Sequence, residues 1–506
     1  MFVLDEMTAE TLNIFKSATS GFTSSTGVAG IDLSDLISLI PVPTDFRDEL
    51  ARTHPDMGAV EAQWEVLLNV NNQQPKASVA YDAAGPLALI ESIPMSAPFQ
   101  PLAMGYTVTR DAIAKARGYA NAQAIAIYNA INQFKIAEDK LAMGGQAFPL
   151  QQPAAPTCTT AATGGSIAPS TEVYIGVAAR TVSGYYYCNG DGLGEGHGNS
   201  QGNSGNVTTS TVTGSTHTVS GSTTSVAGAA CYDWFQSSTG SAPWYYYTTT
   251  TIPAVTMTTV ITANQAPPTN PEVAGGLPDL STTTPTYLST GDNGSAGTGA
   301  SPEFNGLLAS ITGDYLNGGI STHGSGTSSG ATLIDAAGSA FSAYGGGIEQ
   351  LDQLNATYYN QTKLQPSMYM VSAQESNSLS ALVLDSPSAV TYLTMNDAAG
   401  RAEVVAGGRV GSYVSRINGA QIPIRLYPNM PPGTLIARRD SVPYPNADIN
   451  RVLEMRCIDD LYQFQYGADR AHGGPREDGE TRAVETLINR APVVFGAIQS
   501  LAPAAE

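Results

Sequence analysis

The sequence predicts an α+β chain interrupted by an all-β domain. Three observations carry that expectation: composition changes near Gly145 and again near Pro302, a long helical pattern precedes the first change, and β-branched and aromatic runs repeat between the two. From Met1 to about Gly145 the patterns are ordinarily amphipathic, and five of the six lysines lie there. From Gln146 to about Pro302 the chain is rich in Thr, Ser, Gly and Tyr, and Arg180 is its only Lys or Arg. From Glu303 onward helical and strand patterns return.

Taken in order, IDLSDLISLIP (Ile31 to Pro41) reads as a short helix stopped by its proline, and TDFRDELA places Thr44 as an N-cap with acids in the first turn. The stretch WEVLLNVNNQQPKASVAYDAAGPLALIESIP alternates imperfectly and breaks at NNQQP and DAAGP, the mark of an extended excursion punctuated by turns. Ordering such an arm costs about 1 to 2 kcal/mol per residue, against roughly 25 cal/mol per Å² of apolar surface buried. A hairpin standing alone is marginal, so an ordered arm is expected to lie on another surface, such as a neighbouring subunit. YTVTRDAIAKARG then leads into a helix ending KIAEDKLAMGG, in which Ala124, Ile127, Ile131, Phe134 and Leu141 share a stripe and Lys135 faces Asp139 one turn on. Spanning Tyr119 to Met143 it would be about 38 Å long, with Gly144 and Gly145 supplying the stop. Glu138 and Asp139 sit near its C-terminal end, where the helix dipole offers carboxylates no support. Their placement asks for partners elsewhere.

The middle segment holds TEVYIGVAARTVSGYYY, TVTGSTHTVSGSTTSVAGAACYDWFQSS and WYYYTTTTIPAVTMTTVITA, strand-like runs separated by Gly/Ser turns. They predict a small β-sandwich, with Trp234, Phe235, Trp244 and tyrosines for its core. In the last part, ATLIDAAGSAFSAYGGGIEQLDQLNATYYNQTKLQ reads as one or two helices interrupted at GGG. PSMYMVSAQESNSLSALVL reads as a strand and a helix, and AEVVAGGRVGSYVSRINGAQIPIRLYPNMPPGTLIARRD as strands joined by turns at Asn418-Gly419 and PPG. Two further strand-like segments close the chain.

Composition excludes several functions. The 506 residues carry 23 Lys and Arg against 43 Asp and Glu, a net charge of −20, which argues against a sequence-independent grip on DNA or RNA. Charged residues make up only 13%, so the surface is largely small and neutral, suited to wide contact areas. The N-terminus, with Asp5, Glu6 and Glu10, is not that of a secretory signal, and no apolar run is long enough to span a bilayer. Cys158, Cys188, Cys231 and Cys457 have no CxxC spacing; buried or surface thiols are expected, with one local disulfide among the first three as the alternative.

Motifs for chemistry do not assemble. His54, His197, His217, His323 and His472 form no metal-binding pair. GNSQG (Gly198 to Gly202) matches a nucleophile elbow in letters alone, without a strand before it or a helix after it. NGDGLGEG offers Asn189, Asp191 and Glu195 as calcium ligands, but Leu193 occupies a ligand position. Arg438, Arg439 and Asp440, after a strand, read as a solvated face or as an interface ion cluster. No catalytic, metal-binding or cofactor-binding residue is expected, and the chain is not expected to be an enzyme.

The order of these elements, an extended arm, a long β excursion, YTVTRDAIAKARG, a helix ending KIAEDKLAMGG, then FNGLLASI, PSMYMVSAQESNSL and GAQIPIRLYPNMPPGTLIARRD, resembles the major capsid protein of tailed bacteriophages. Encapsulin shells share that fold. The resemblance implies an N-terminal arm (1–59), an extended loop (60–105), a spine helix of the peripheral domain (106–145) and an immunoglobulin-like sandwich insertion with linkers (146–302). Peripheral (303–382), axial (383–449) and closing peripheral (450–506) parts would follow. It implies identical subunits in hexamers and pentamers around double-stranded DNA bound without sequence preference, portal and scaffold proteins as partners, and a decoration protein as a further one. No membrane partner is implied, and the location would be the virion, assembled in the host cytoplasm. Trp64, Lys76, Tyr81, Phe99, Glu138, Asp139, Arg438 and Arg439 are then the candidate intersubunit contacts. Lys76 lies in the loop that carries a Lys to Asn crosslink in some family members, but no matching acceptor is evident. An encapsulin compartment keeps the fold with protein cargo; a surface adhesin with an immunoglobulin-like module is the rival of a different class.

Overall fold

The computed structural model describes residues 41–55, 59–67, 79–82, 84, 92–116, 121–146, 150–182, 185, 203–209, 216–238, 244–261, 303–316, 319–321, 327–328, 330–345, 347–385, 394–396, 402–404, 409–444, 447–466 and 476–503. Residues 1–40 of the arm, Lys76, Cys188, the NGDGLGEG and GNSQG stretches and the 262–302 linker lie outside them.

Helix α1 (Asp45–Glu49) follows Thr44, which holds the N-cap position, although its hydroxyl donates to Asp48 Oδ2 at 2.8 Å and accepts no backbone N–H of the first turn. Strands β1 (Ala51–Thr53), β2 (Glu61–Leu67) and β3 (Ser92–Pro98) come next; β2 and β3 pair antiparallel from Glu61 opposite Pro98 to Leu67 opposite Ser92. The excursion is therefore a two-stranded ribbon where it is described. Strand β4 (Gln100–Thr109) and helix α2 (Arg110–Ala116) lead to the spine helix α3 (Ala122–Gly144). It starts later than its periodicity suggests because Asn121 caps it, Oδ1 accepting from the Ala124 N–H at 3.2 Å, and its 23 residues span about 34 Å. The expected stripe is only half right. Phe134 and Leu141 are buried, but Ile127 and Ile131 are half-buried, Ala124 is exposed, and Glu138 and Asp139 are buried with them.

The insertion is a two-sheet β-sandwich of seven described strands: β5 (Thr157–Ala161), β6 (Glu172–Arg180), β7 (Asn203–Thr208), β8 (Thr218–Ser222), β9 (Cys231–Ser237), β10 (Tyr245–Thr250) and β11 (Ala254–Met257). The sheets run β10-β9-β6-β7 and β11-β8-β5, and Ile175, Val177, Val219, Tyr232, Trp234 and Met257 fill the space between them. The sandwich was legible, but the pairing of its described strands does not show the order of an immunoglobulin domain. There the second and third strands lie in different sheets, as do the fifth and sixth; here β6 pairs with β7 and β9 with β10 as neighbours in one sheet. Arg180, the segment's only Lys or Arg, is buried against Asp233 at 2.5 Å. Cys158 and Cys231 are free thiols.

The two ends of the insertion meet. Gly145 ends α3 with its N–H on the Leu141 carbonyl at 2.7 Å, and its own carbonyl accepts from the Gly306 N–H at 2.8 Å, just before helix α4 (Leu307–Thr312). Glycine is required at this crossing: a Cβ on Gly306 would sit 2.4 Å from the Leu141 oxygen, and one on Gly145 2.6 Å from the Phe304 oxygen.

Beyond it lie β12 (Thr332–Asp335), helix α5 (Glu349–Thr362), β13 (Met368–Val371), helix α6 (Ala373–Asp385), β14 (Ser412–Val414), β15 (Gln421–Leu426) and β16 (Leu435–Arg438). The chain closes with β17 (Leu453–Gln465), β18 (Arg476–Asn489) and β19 (Gly496–Gln499). A mixed six-stranded sheet, β12-β19-β16-β13-β15-β14, is covered on one face by α5 through Leu351, Leu354 and Tyr358. Its other face joins the core that holds Phe304, Met143 and Phe495. Burial on both faces explains why MYMV and LIAR are nearly unbroken apolar runs. Two expectations fail here. Residues 332–335, expected in a helix, form a strand because β19 pairs with them in parallel, and the six-stranded sheet draws strands from both sides of the boundaries placed at 382 and 449.

Ser372 and Glu375 cap α6, the serine hydroxyl donating to the glutamate, and the same carboxylate accepts the Gly433 N–H at 2.7 Å. Gly433 has φ +81° and a Cβ there would lie 3.3 Å from the Leu501 oxygen. Gly433→Ala is therefore expected to cost about 1 to 2 kcal/mol, measurable as a lower urea midpoint with an unchanged slope.

Candidate functional site

The second sheet, β1-β17-β18-β4, carries α3 across one face. Where the helix ends, a buried ion cluster joins it to the root of the arm. Glu138 is fully buried; its Oε2 takes the Arg47 Nε at 2.5 Å and its Oε1 pairs with Arg52 Nη2. Arg52 Nη1 also reaches Asp460 at 2.6 Å and Glu485 at 3.3 Å, so one side chain on β1 ties α3, β17 and β18 together. Asp139 does not use Lys135. Its Oδ1 accepts the Arg47 backbone N–H at 2.7 Å and its Oδ2 accepts from Asn429 Nδ2 at 2.6 Å, while that amide also donates to the Pro43 carbonyl at 3.0 Å.

Burial pushes the Asp139 carboxyl up, against the Arg47 and Asn429 hydrogen bonds that favour its charge. Burial likewise raises Glu485, opposed by Arg52, and lifts the Cys457 thiol to about 12, with the Glu485 charge adding to the effect. For Asp460 burial works upward, but the Leu461 N–H and Arg52 outweigh it and hold the carboxyl low.

Helix α1 is pinned on its other side as well. Glu49 pairs with Arg438 at 2.7 Å and Arg425 at 2.9 Å and accepts from the Tyr427 hydroxyl at 2.7 Å, while the Arg438 guanidinium lies 5.8 Å from the centre of the Phe46 ring. Arg438 is 7% exposed, not on a solvated face. Arg439 donates to the carbonyls of Gln365 and Ser441, each at 2.9 Å. Glu138, Asp139, Arg438 and Arg439, expected at contacts between copies, thus find their partners inside one chain, where burial keeps the first three from a neighbour's reach.

The remaining candidates lie on the ribbon. Trp64 is half-buried and its Nε1 donates to the Asn489 carbonyl at 3.0 Å, anchoring the ribbon to β18. Phe99 is half-buried at the β3 to β4 junction, and Tyr81 is 100% exposed.

Sequence reading missed a further feature, the open face of the second sheet. The register sets Phe464 opposite Glu480 and Tyr462 opposite Arg482, and these two β18 residues opposite Gly105 and Ala103 of β4. Intervening Thr481, Ala483 and Glu485 are buried beneath α3. The opposite face therefore presents an aromatic lane on β17, a lane of paired charges on β18 (Arg476 with Asp478, Arg482 with Glu480) and a small-residue lane on β4, where Pro101, Ala103, Gly105, Thr107 and Thr109 are all exposed. Tyr462, Phe464 and Tyr466 are 38 to 49% exposed, and the last two rings meet edge to face at 5.2 Å. The alternation in β4 was the signal that could have revealed it. Among the described residues no group of His, Cys, Asp and Glu is arranged to hold a metal ion, and no helix is long and apolar enough to cross a membrane.

Capsid shell proteins are similar to this chain. The capsid of the native GTA particle aligns with 94% of the chain and 96% of its own length at TM-score 0.42 and 8% identity. The capsid of Myoviridae phage XM1 covers 95% and 100% at 0.39 and 8%, and the holo-SrpI encapsulin complex from Synechococcus elongatus PCC 7942 covers 95% and 94% at 0.38 and 7%. No family model and no curated protein matches the chain.

Proposed function

We propose that the chain is the structural subunit of a phage capsid, assembling with identical copies into hexamers and pentamers that enclose double-stranded DNA. The observation that carries this reading is the face of the β1-β17-β18-β4 sheet, with its aromatic lane, that no other described residue covers, beside a ribbon that carries the exposed Tyr81. The described part of the ribbon is anchored by Trp64, whose Nε1 donates to the Asn489 carbonyl at 3.0 Å. Trp64, Tyr81 and Phe99 are its contact residues toward a neighbouring copy, and Lys76 lies in the same excursion. A net charge of −20 suits a wall that contains DNA without gripping it. Portal, scaffold and decoration proteins would be its partners in the virion, with the insertion displayed outward.

Sedimentation and electron microscopy of the purified chain test this. Closed or ring-shaped assemblies are expected, and the double variant Tyr462→Ser, Phe464→Ser should shift the population to single chains while leaving the circular dichroism spectrum unchanged. A wild-type chain that stays monomeric at every concentration, or a double variant that assembles as well as wild type, would sink the reading.

A further inference from the structure

At the arm root four carboxylates, of Glu138, Asp48, Asp460 and Glu485, pair with two guanidiniums, of Arg47 and Arg52. Glu138 takes one on each of its oxygens. Glu485, equally buried, has only the Arg52 Nη1 at 3.3 Å, an atom that lies closer to Asp460 at 2.6 Å. Its Oε2 also accepts weakly from the Cys457 thiol at 3.6 Å, and its Oε1 is buried with no hydrogen-bond partner. A buried carboxylate without a counter-charge of its own is costly to ionise, and such a group keeps its proton instead. Asp139 differs in accepting two short hydrogen bonds, and the Asp460 side chain is 50% exposed.

We propose that Glu485 is a neutral carboxylic acid in the closed structure, and that its ionisation as pH rises unlocks α1 and β1 from the spine helix, a latch on the root of the arm. Ionised Glu485 competes with Glu138 for Arg52, the side chain that joins β1 to α3. The groups that act on it are Arg52 from β1, Cys457 and Asp460 from β17 and Arg47 from α1; Glu138 of α3 shares Arg52 with it, Asp48 pairs with Arg47, His54 bonds the Cys457 carbonyl, and β4 sets the uncharged Gln100 opposite it. The sign follows from proton linkage. The closed form binds a proton that the open form releases, so the latch holds fully below the ordinary glutamate value and weakens as pH climbs through the raised one.

Hydrogen exchange of peptides covering residues 44–54, in the full chain between about pH 5 and pH 8 and corrected for intrinsic rates, reads the latch directly. Wild-type protection should fall by up to about tenfold per pH unit between the ordinary glutamate value and the raised one, and level off above it. Glu485→Gln, and Glu485→Met as a second neutral replacement, should remove most of that fall. His54, whose Nδ1 lies 2.9 Å from the Cys457 carbonyl, is the control position, and His54→Gln should keep the wild-type slope. A flat wild-type profile overturns the proposal without any variant; so does a wild-type slope in the Glu485 variants, or a slope abolished by His54→Gln.

Discussion

Glu138→Ala is expected to destabilise the protein by about 3 to 5 kcal/mol, because it strands two largely buried guanidiniums that now share one carboxylate. Arg47 would keep only its exposed neighbour Asp48, and Arg52 would be left with Asp460 and a distant Glu485. Glu138→Gln retains the shape and one acceptor, so a smaller loss of about 1 to 3 kcal/mol is expected. Urea denaturation followed by circular dichroism checks both values. Exchange in residues 44–54 should rise even under conditions where the rest of the chain stays folded. If Glu138→Ala costs less than about 1 kcal/mol, the Glu138 pairs add little net stability and the arm root is held by Phe46 packing, the Glu49 cluster and Asp139.

Trp234→Ala should have an effect of similar size in the insertion, about 3 to 5 kcal/mol. Trp234 is fully buried between the two sheets, where a Cβ on Gly221 of the facing strand would lie 3.5 Å from its ring, and its Nε1 donates to Thr250 Oγ1 at 2.8 Å. The loss should not stay local. Val182 and Ala230 of the insertion pack into the core that holds Met143 and Phe304, Ser225 bonds Asp335 at 2.7 Å, and Gly228 donates to Gln499 at 3.4 Å. Calorimetry should therefore show both the sandwich and the main body melting earlier. A body transition that does not move would mean that the insertion folds on its own and the shared core adds nothing.

What the sequence made legible was local. The spine helix, the turn glycines at 419 and 433 and the sandwich all announce themselves within a few residues, through period, capping and β-branched runs. What it hid is non-local. Glu138 and Asp139 stood out as misplaced for their helix dipole, but their partner Arg47 lies 91 and 92 residues away, and Asn429 lies 290 away. No pattern along the chain encodes such a pairing. Thr332 to Asp335 looked helical because their strand partner, Gly496 to Gln499, arrives at the far end of the chain. The open sheet face was readable in principle from the alternation of β4, but only the register with β18 and β17 shows that three lanes of different chemistry lie side by side.

The crossing of Gly145 and Gly306 turns the insertion into a cassette. Since both strands of the connection pass through a single hydrogen-bonded point, any polypeptide whose termini lie a few ångströms apart can be spliced in without stretching its host. What such a graft has to reproduce is two glycines, apolar groups standing where Val182 and Ala230 now plug the seam, and the bonds that Ser225 and Gly228 make to Asp335 and Gln499.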